Sequence, residues 1–217
     1  MTKIAVFLFL FISSVNTFAS SLDNLPDQFE MYEHMATLNI GFDIMEKNTR
    51  LGALYRTPFS ILANYELIDN DFKRKVIASA KYDYDTPSHH GALPPSYLEV
   101  YDETFQLLGI TKEKSATLHN QFDILAPNGL KKIAQAEMNF WGTTISIYEV
   151  ESHAKIAEMT RPFFRVKNNW VVDIIDAPLL AEHQIDPKLI ITLIAFHCDN
   201  EKKRRKEISG SDATNQL

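Results

Sequence analysis

The sequence predicts an α+β fold: N-terminal helices packed on a curved antiparallel sheet. Three observations lead there. Gly142 to Asp176 reads as a strand meander rich in β-branched and aromatic residues, which suit a pleated, half-buried surface. Between Pro58 and Phe122 the apolar residues recur at helical spacings. The helical patterns precede the strand patterns instead of alternating with them, which favours α+β over α/β. The competing architecture is an all-α bundle, because Leu130 to Val150 also accommodates a helix.

Met1 to Ala19 has the layout of a secretory signal peptide: Lys3, then the apolar run Ile4 to Ile12, then Thr17-Phe18-Ala19 as a cleavage site. The alternative is an uncleaved anchor, for which the run is short of the ~20 apolar residues a span needs. The expected domain plan is a signal peptide at 1–19, one α+β domain at 20–200 and a basic, then polar, tail at 201–217. Cys198 is the single cysteine, so no internal disulfide forms. Export without disulfides points to a bacterial periplasm or a bacterial secreted protein.

Asp27 to Lys47 reads as a short helix followed by an extended segment. Thr57-Pro58 suits a helix start. Ile61, Tyr65, Ile68, Phe72 and Val76 then form one apolar face, with the helix ending near Lys81. Tyr82 to Pro95 is a long loop. Ser96-x-x-Glu99 reads as a capping box for a helix carrying Leu98, Tyr101, Phe105 and Leu108, stopped at Gly109. A further short helix runs from Thr111 through Phe122. Leu130 to Met138 fits a strand or a helix end equally.

In the meander, Ile145 to Val150 is a strand and Ser152-His153-Ala154 a tight connection. The run from Ile156 to Val166 is broken, bulged or at an edge at Pro162, which cannot donate to a ladder. Phe163-Phe164-Arg165-Val166, the turn Lys167-Asn168-Asn169 and Trp170 to Ile175 read as a hairpin. Leu189 to Phe196 is a nearly unbroken apolar run, read as a fully buried strand with a buried helix as the competitor.

Helices followed by a meander that closes on this Phe163–Ile175 hairpin resembles the NTF2-like superfamily of α+β cones and rolls. The resemblance spans Pro58 to Phe196 in order of elements, and in residues only the hairpin. Two features depart from it, Pro162 and the long extension before Thr57. It implies a cone with a pocket and fixes no reaction, since such folds host isomerases, dehydratases, cyclases and non-catalytic domains.

Candidate chemistry is sparse. Asp173, between Val172 and Ile174, is a catalytic general base if it points into a cone and an ordinary wet-face residue if it does not. Tyr148, Phe164 and Trp170 are the candidate ligand-binding residues, within an aromatic set that also holds Phe140, Trp141 and Phe163 and reads mostly as core. Glu149, Glu151 and His153 alternate along one strand face, and His89-His90 lies near Asp83 and Asp85. A solvated surface is the simpler reading of both, so no metal and no cofactor is expected. Glu182-His183 with Asp186, and His197 with Asp199, read as surface or capping pairs. No P-loop, GxGxxG, GxSxG or CxxC pattern occurs.

Without its signal the chain carries 21 basic and 28 acidic side chains, a formal −7; without residues 201–217 as well, the body stands at −9. Such a body argues against nucleic-acid binding. The run Lys202, Lys203, Arg204, Arg205 and Lys206 reads as a solvated helix end, with anionic lipid or a partner as its alternative contacts. The expected function is an exported, non-enzymatic binding or assembly domain with a protein partner or a small apolar ligand. The alternative is a small-molecule enzyme of the cone type using a pocket carboxylate or histidine.

Overall fold

A computed structural model describes residues 22–34, 41–58, 60, 62–82, 96–114, 121–164 and 167–214, with side chains of the last helix described to Arg204. It is a closed barrel of twelve antiparallel strands. In chain order they are β1 (Gln28–Glu33), β2 (Gly41–Glu46), β3 (Thr49–Arg56), β4 (Asn64–Asp69), β5 (Arg74–Tyr82), β6 (Ser96–Asp102), β7 (Leu107–Glu113), β8 (Gln121–Leu125), β9 (Lys132–Met138), β10 (Thr144–Glu149), β11 (Lys155–Thr160) and β12 (Trp170–Ile174). Two helices follow, α1 (Ala177–Glu182) and α2 (Pro187–Thr214). Each strand pairs with the next, and β1 closes on β12 through Phe29 opposite Val172 and Met31 opposite Trp170. Closure removes both sheet edges.

The α+β expectation and its NTF2-like resemblance are therefore overturned, and so is the all-α alternative. Among the described residues, the predicted helices over Pro58–Lys81, Ser96–Leu108 and Thr111–Phe122 hold strands β4 to β7 and the start of β8. A spacing of four residues belongs to both the helical and the strand period, so three of the four intervals in the Ile61–Val76 series fit either, and only the interval of three between Tyr65 and Ile68 is specific to a helix. The local alternation is decisive: Tyr65, Leu67 and Asp69 are buried while Asn64, Glu66 and Ile68 are half-buried.

The turns explain why breakers were missing. Asp69 Oδ1 accepts the N–H groups of Asp71 (2.9 Å) and Lys73 (2.8 Å), and Phe72 takes φ 61°. Asp102 Oδ1 does the same for Thr104 (2.8 Å) and Gln106 (2.9 Å), with Phe105 at φ 63°. An aspartate side chain that mimics a backbone turn replaces the glycine these hairpins would otherwise need. Asn139 and Glu149 serve the β9–β10 and β10–β11 turns likewise.

Glu149 accepts the N–H of Glu151 at 2.7 Å, together with the N–H and hydroxyl of Ser152. These bonds hold its carboxyl down from 4.5 to about 2. A depressed carboxylate stabilises the fold above its unfolded value and loses that contribution as pH falls. The stability gap between wild type and Glu149→Gln is therefore expected to be full above 4.5 and to close towards about 2. Urea midpoints across that range check this; a gap that stays constant with pH contradicts it.

Helix α2 is the core. The apolar run Leu189–Phe196 is this helix, not the expected buried strand, and every side chain from Leu189 to Cys198 is buried, Thr192 and His197 included. A helix buried on all faces needs a host that surrounds it. Its partners come from around the wall: Leu189 lies against Gly109 of β7, Phe196 against Phe122 of β8, His197 against Trp170 of β12, and Asp199 against Tyr65 of β4. The helix thus fills the lumen. Gly109, read from sequence as a helix stop, is an inward strand position; a Cβ there would sit 3.0 Å from both Leu125 O and Leu189 Cδ1. The expected domain boundary at 200/201 falls inside α2.

Lumen-facing positions are mostly apolar, with Thr111 an exception inside the wall, and the outer wall carries side chains such as Glu66, Glu99, Asp123, Gln135 and Glu158. That is the reverse of a lipid-facing barrel wall. Among the described residues no helix is long and apolar enough to cross a membrane. Cys198 lies inside the helix–barrel interface, and burial pushes its thiol up to about 12. Alkylation by iodoacetamide at neutral pH is expected only after denaturation; mass-spectrometric labelling of the native protein would contradict this.

Candidate functional site at the helix exit

The barrel end where α2 emerges gathers the C-termini of β1, β3, β7, β9 and β11 and the starts of the strands that follow them. The wall there turns polar, and so does the helix. Asp199 receives the Tyr65 hydroxyl at 2.6 Å and lies 2.9 Å from Arg56 Nε. Burial raises its carboxyl above the ordinary range, against the pull of Tyr65 and Arg56; burial and Asp199 also raise the Tyr65 hydroxyl well above its usual value. Glu113 accepts from Asn200 Nδ2 at 3.1 Å and pairs with Arg204. Its carboxyl is likewise raised by burial and opposed by Arg204 and Lys203. Glu33 pairs with Lys202 at 2.5 Å and accepts the Asn168 N–H at 2.6 Å.

Arg161 ties these parts together. Its buried guanidinium donates to Gly142 O (2.8 Å), Asn168 Oδ1 (2.8 Å) and Glu201 Oε2 (3.0 Å), and lies 4.3 Å from the Trp170 ring centroid. One side chain thereby links the β9–β10 loop, the segment between β11 and β12, and the exposed turn of α2. Every carboxylate in this ring is engaged by a wall or helix group, so the ring acts as a clasp on the helix.

Outside the clasp stand four aromatic side chains. Phe140 (75% exposed), Trp141 (64%), Phe163 (51%) and Phe164 (91%) belong to the two loops that Arg161 joins. Their rings meet edge to face in series, at 5.1 Å, 5.6 Å and 4.9 Å between centroids. Edge-to-face packing orders them among themselves while leaving their outer faces in water.

The sequence-derived candidates do not converge. Asp173 lies on the outer wall, where it accepts from Gln28 Nε2 at 2.5 Å; it does not point into a cone. Tyr148 is half-buried on the outer face opposite Gln135 and Lys155. Trp170 is buried in the lumen under Arg161, and Phe164 is exposed at the mouth. The aromatic set is thus split, with Phe140, Trp141, Phe163 and Phe164 outside the core. The expected hairpin is also corrected: β12 pairs with β11 and β1, and Phe163 and Phe164 lie in the connection after Thr160. The ladder ends just before Pro162, which has no N–H to extend it.

Glu151 and His153 are turn residues, not strand neighbours of Glu149, and His183 Nε2 lies 3.8 Å from Glu149 Oε1. His197, read as an end pair with Asp199, is buried in the lumen. His89-His90 with Asp83 and Asp85, and the segment Met1–Ala19, lie outside the described residues. No group of three or more His, Cys, Asp or Glu able to hold a metal occurs among the described residues. The clasp itself escaped the sequence reading because its members lie far apart in the chain: Glu33 and Lys202 are separated by 169 residues. The aromatic quartet had a visible signal, two adjacent pairs flanking turn residues, Phe140-Trp141-Gly142 and Pro162-Phe163-Phe164.

No protein-family model matches this chain, and no curated protein does. Its structure is similar to the X-ray structure of a protein from Arabidopsis thaliana, with a TM-score of 0.55 and 17% identity over 84% of this chain and 98% of that one. A likeness at that identity bears on the fold alone.

Proposed function

We propose that the protein is an exported, non-enzymatic binding domain that uses the helix-exit end of its barrel as the binding surface. The observation that carries this reading is the contrast between the two ends of the same helix–barrel contact. The lumen, where a barrel of this size would hold a ligand, is filled by α2. The mouth presents four exposed aromatics held on loops that the buried Arg161 fixes in place. Rigid aromatic anchors on a solvent-facing surface suit recognition. The signal-like Met1–Ala19 supports export.

A photo-reactive phenylalanine analogue placed at Phe164 tests the reading in cells. Discrete cross-linked products that disappear when Trp141 and Phe163 are changed to Ser are expected. A probe that yields only solvent-quenched monomer would sink it.

A further inference from the structure

We infer that the partner at this end is an anionic lipid bilayer surface, onto which the barrel docks end-on with its aromatic quartet inserted between headgroups. The inference rests on the binding reading above and deepens it. Three observations carry it. The quartet is one Trp and three Phe, 51% to 91% exposed, carried on two adjacent loops and not on a sheet face. Trp and Phe with their bodies exposed at the tip of a molecule match the headgroup layer, where aromatic rings concentrate.

Charge is the second observation. The five consecutive basic residues of the chain, Lys202 to Lys206, leave the barrel at this same end, while the body before them carries a formal −9. Lys202 and Arg204 are held by Glu33 and Glu113. Lys203 lies over the Tyr82 ring at 5.7 Å, and Arg205 and Lys206 follow it in sequence ahead of Glu207. A body of one sign with the other sign at one tip is oriented by a charged surface: the tip leads and the acidic wall faces away.

Third, Arg161 joins the two. It bonds Gly142, next to Trp141, and Glu201, next to Lys202. The aromatic loops and the turn of α2 from which the basic run departs are thus held together at one end of the barrel. Exposed Trp and Phe also occur at protein interfaces, so the choice of a bilayer rests on the basic run that leaves the barrel beside them.

Tryptophan emission offers a direct test, because Trp170 is buried (1% exposed) and Trp141 is not (64%). The full chain as isolated is mixed with vesicles of phosphatidylcholine, alone or with phosphatidylglycerol. Anionic vesicles are expected to blue-shift Trp141 and to carry the protein upward in flotation. Salt that shortens the Debye length to about 3 Å should release it. The K203Q/R205Q/K206Q variant should bind roughly a hundredfold more weakly. F163S/F164S should keep its circular dichroism spectrum and lose the shift.

All variants carry the same N-terminus, so binding that persists in F163S/F164S with Trp141 unshifted comes from another segment and overturns the inference. If anionic vesicles leave Trp141 unshifted while the Phe164 probe cross-links to protein, or to a second copy of this chain, the lipid assignment falls and the binding reading stands. If neither occurs, both fall.

Discussion

A chain ended at Asp186 is expected to lose the folded barrel altogether. Leu189, Ile190, Ile191, Leu193, Ile194 and Phe196 of α2 are each 0% or 1% exposed, and all their contacts are lost with the helix. At about 1.5–3 kcal/mol for each buried side chain, six of them contribute on the order of 9–18 kcal/mol. That matches or exceeds the 5–15 kcal/mol that typically separates folded from unfolded states. The wall residues facing the helix, such as Phe122, Trp170 and Val172, would also line an empty or water-filled lumen. The truncated chain should show no cooperative thermal transition and should bind the dye ANS. A sharp melt at a temperature near that of the full chain would mean that the barrel stands without its helix. Phe196→Ala, a milder change, should cost about 3–5 kcal/mol with the fold retained.

Arg161→Ala should be the most damaging single change among the clasp residues, at about 3–5 kcal/mol, because it removes one partner of a buried pair. Among the described residues its guanidinium donates to Gly142 O, Asn168 Oδ1 and Glu201 Oε2 and covers the Trp170 ring, from a side chain that is 1% exposed. The loss leaves Gly142 O, Asn168 and Glu201 short of a donor. Arg161→Lys should recover only part of it, since an ammonium point charge cannot match a planar fork bonded in three directions. Urea midpoints of the two variants measure this, and a loss below about 1 kcal/mol for Arg161→Ala would remove the clasp from the account. Loop order should follow stability. With Gly142 and the start of the β11–β12 segment released, the aromatic quartet would lose its fixed spacing, which links the clasp to the binding surface.

The expectation that failed, an α+β cone, failed for a local reason. Between Ile61 and Val76 the apolar residues are mostly four apart, and that interval brings a residue back to the same face of a helix and of a strand alike. The turn at Asp69–Lys73 carries no Gly or Pro, so nothing broke the helical reading; its positive φ falls on Phe72. The same device at Asp102–Gln106 hid the β6–β7 hairpin. An Asp or Asn followed four residues later by a new alternating run is the signal that separates these cases.

The candidate site was legible in parts only. Its aromatic residues and its basic run could each be seen as clusters in the sequence, but nothing local brings Phe140 and Trp141 beside Phe163 and Phe164, or either pair to the helix exit.

What the sequence determined by itself is local. Pairing propensity made strands of Thr144–Glu149 and Trp170–Ile174, Pro162 ended the ladder before the exposed Phe163 and Phe164, and the nearly unbroken apolar stretch Leu189–Phe196 required burial on every side. Whether that stretch became a strand or a helix was settled only by its surroundings, because the closed lumen offers it wall residues on every face. The closure itself is tertiary: Gln28 meets Asp173 across 145 residues, and no local window of sequence contains the hydrogen bonds that join the first strand to the last.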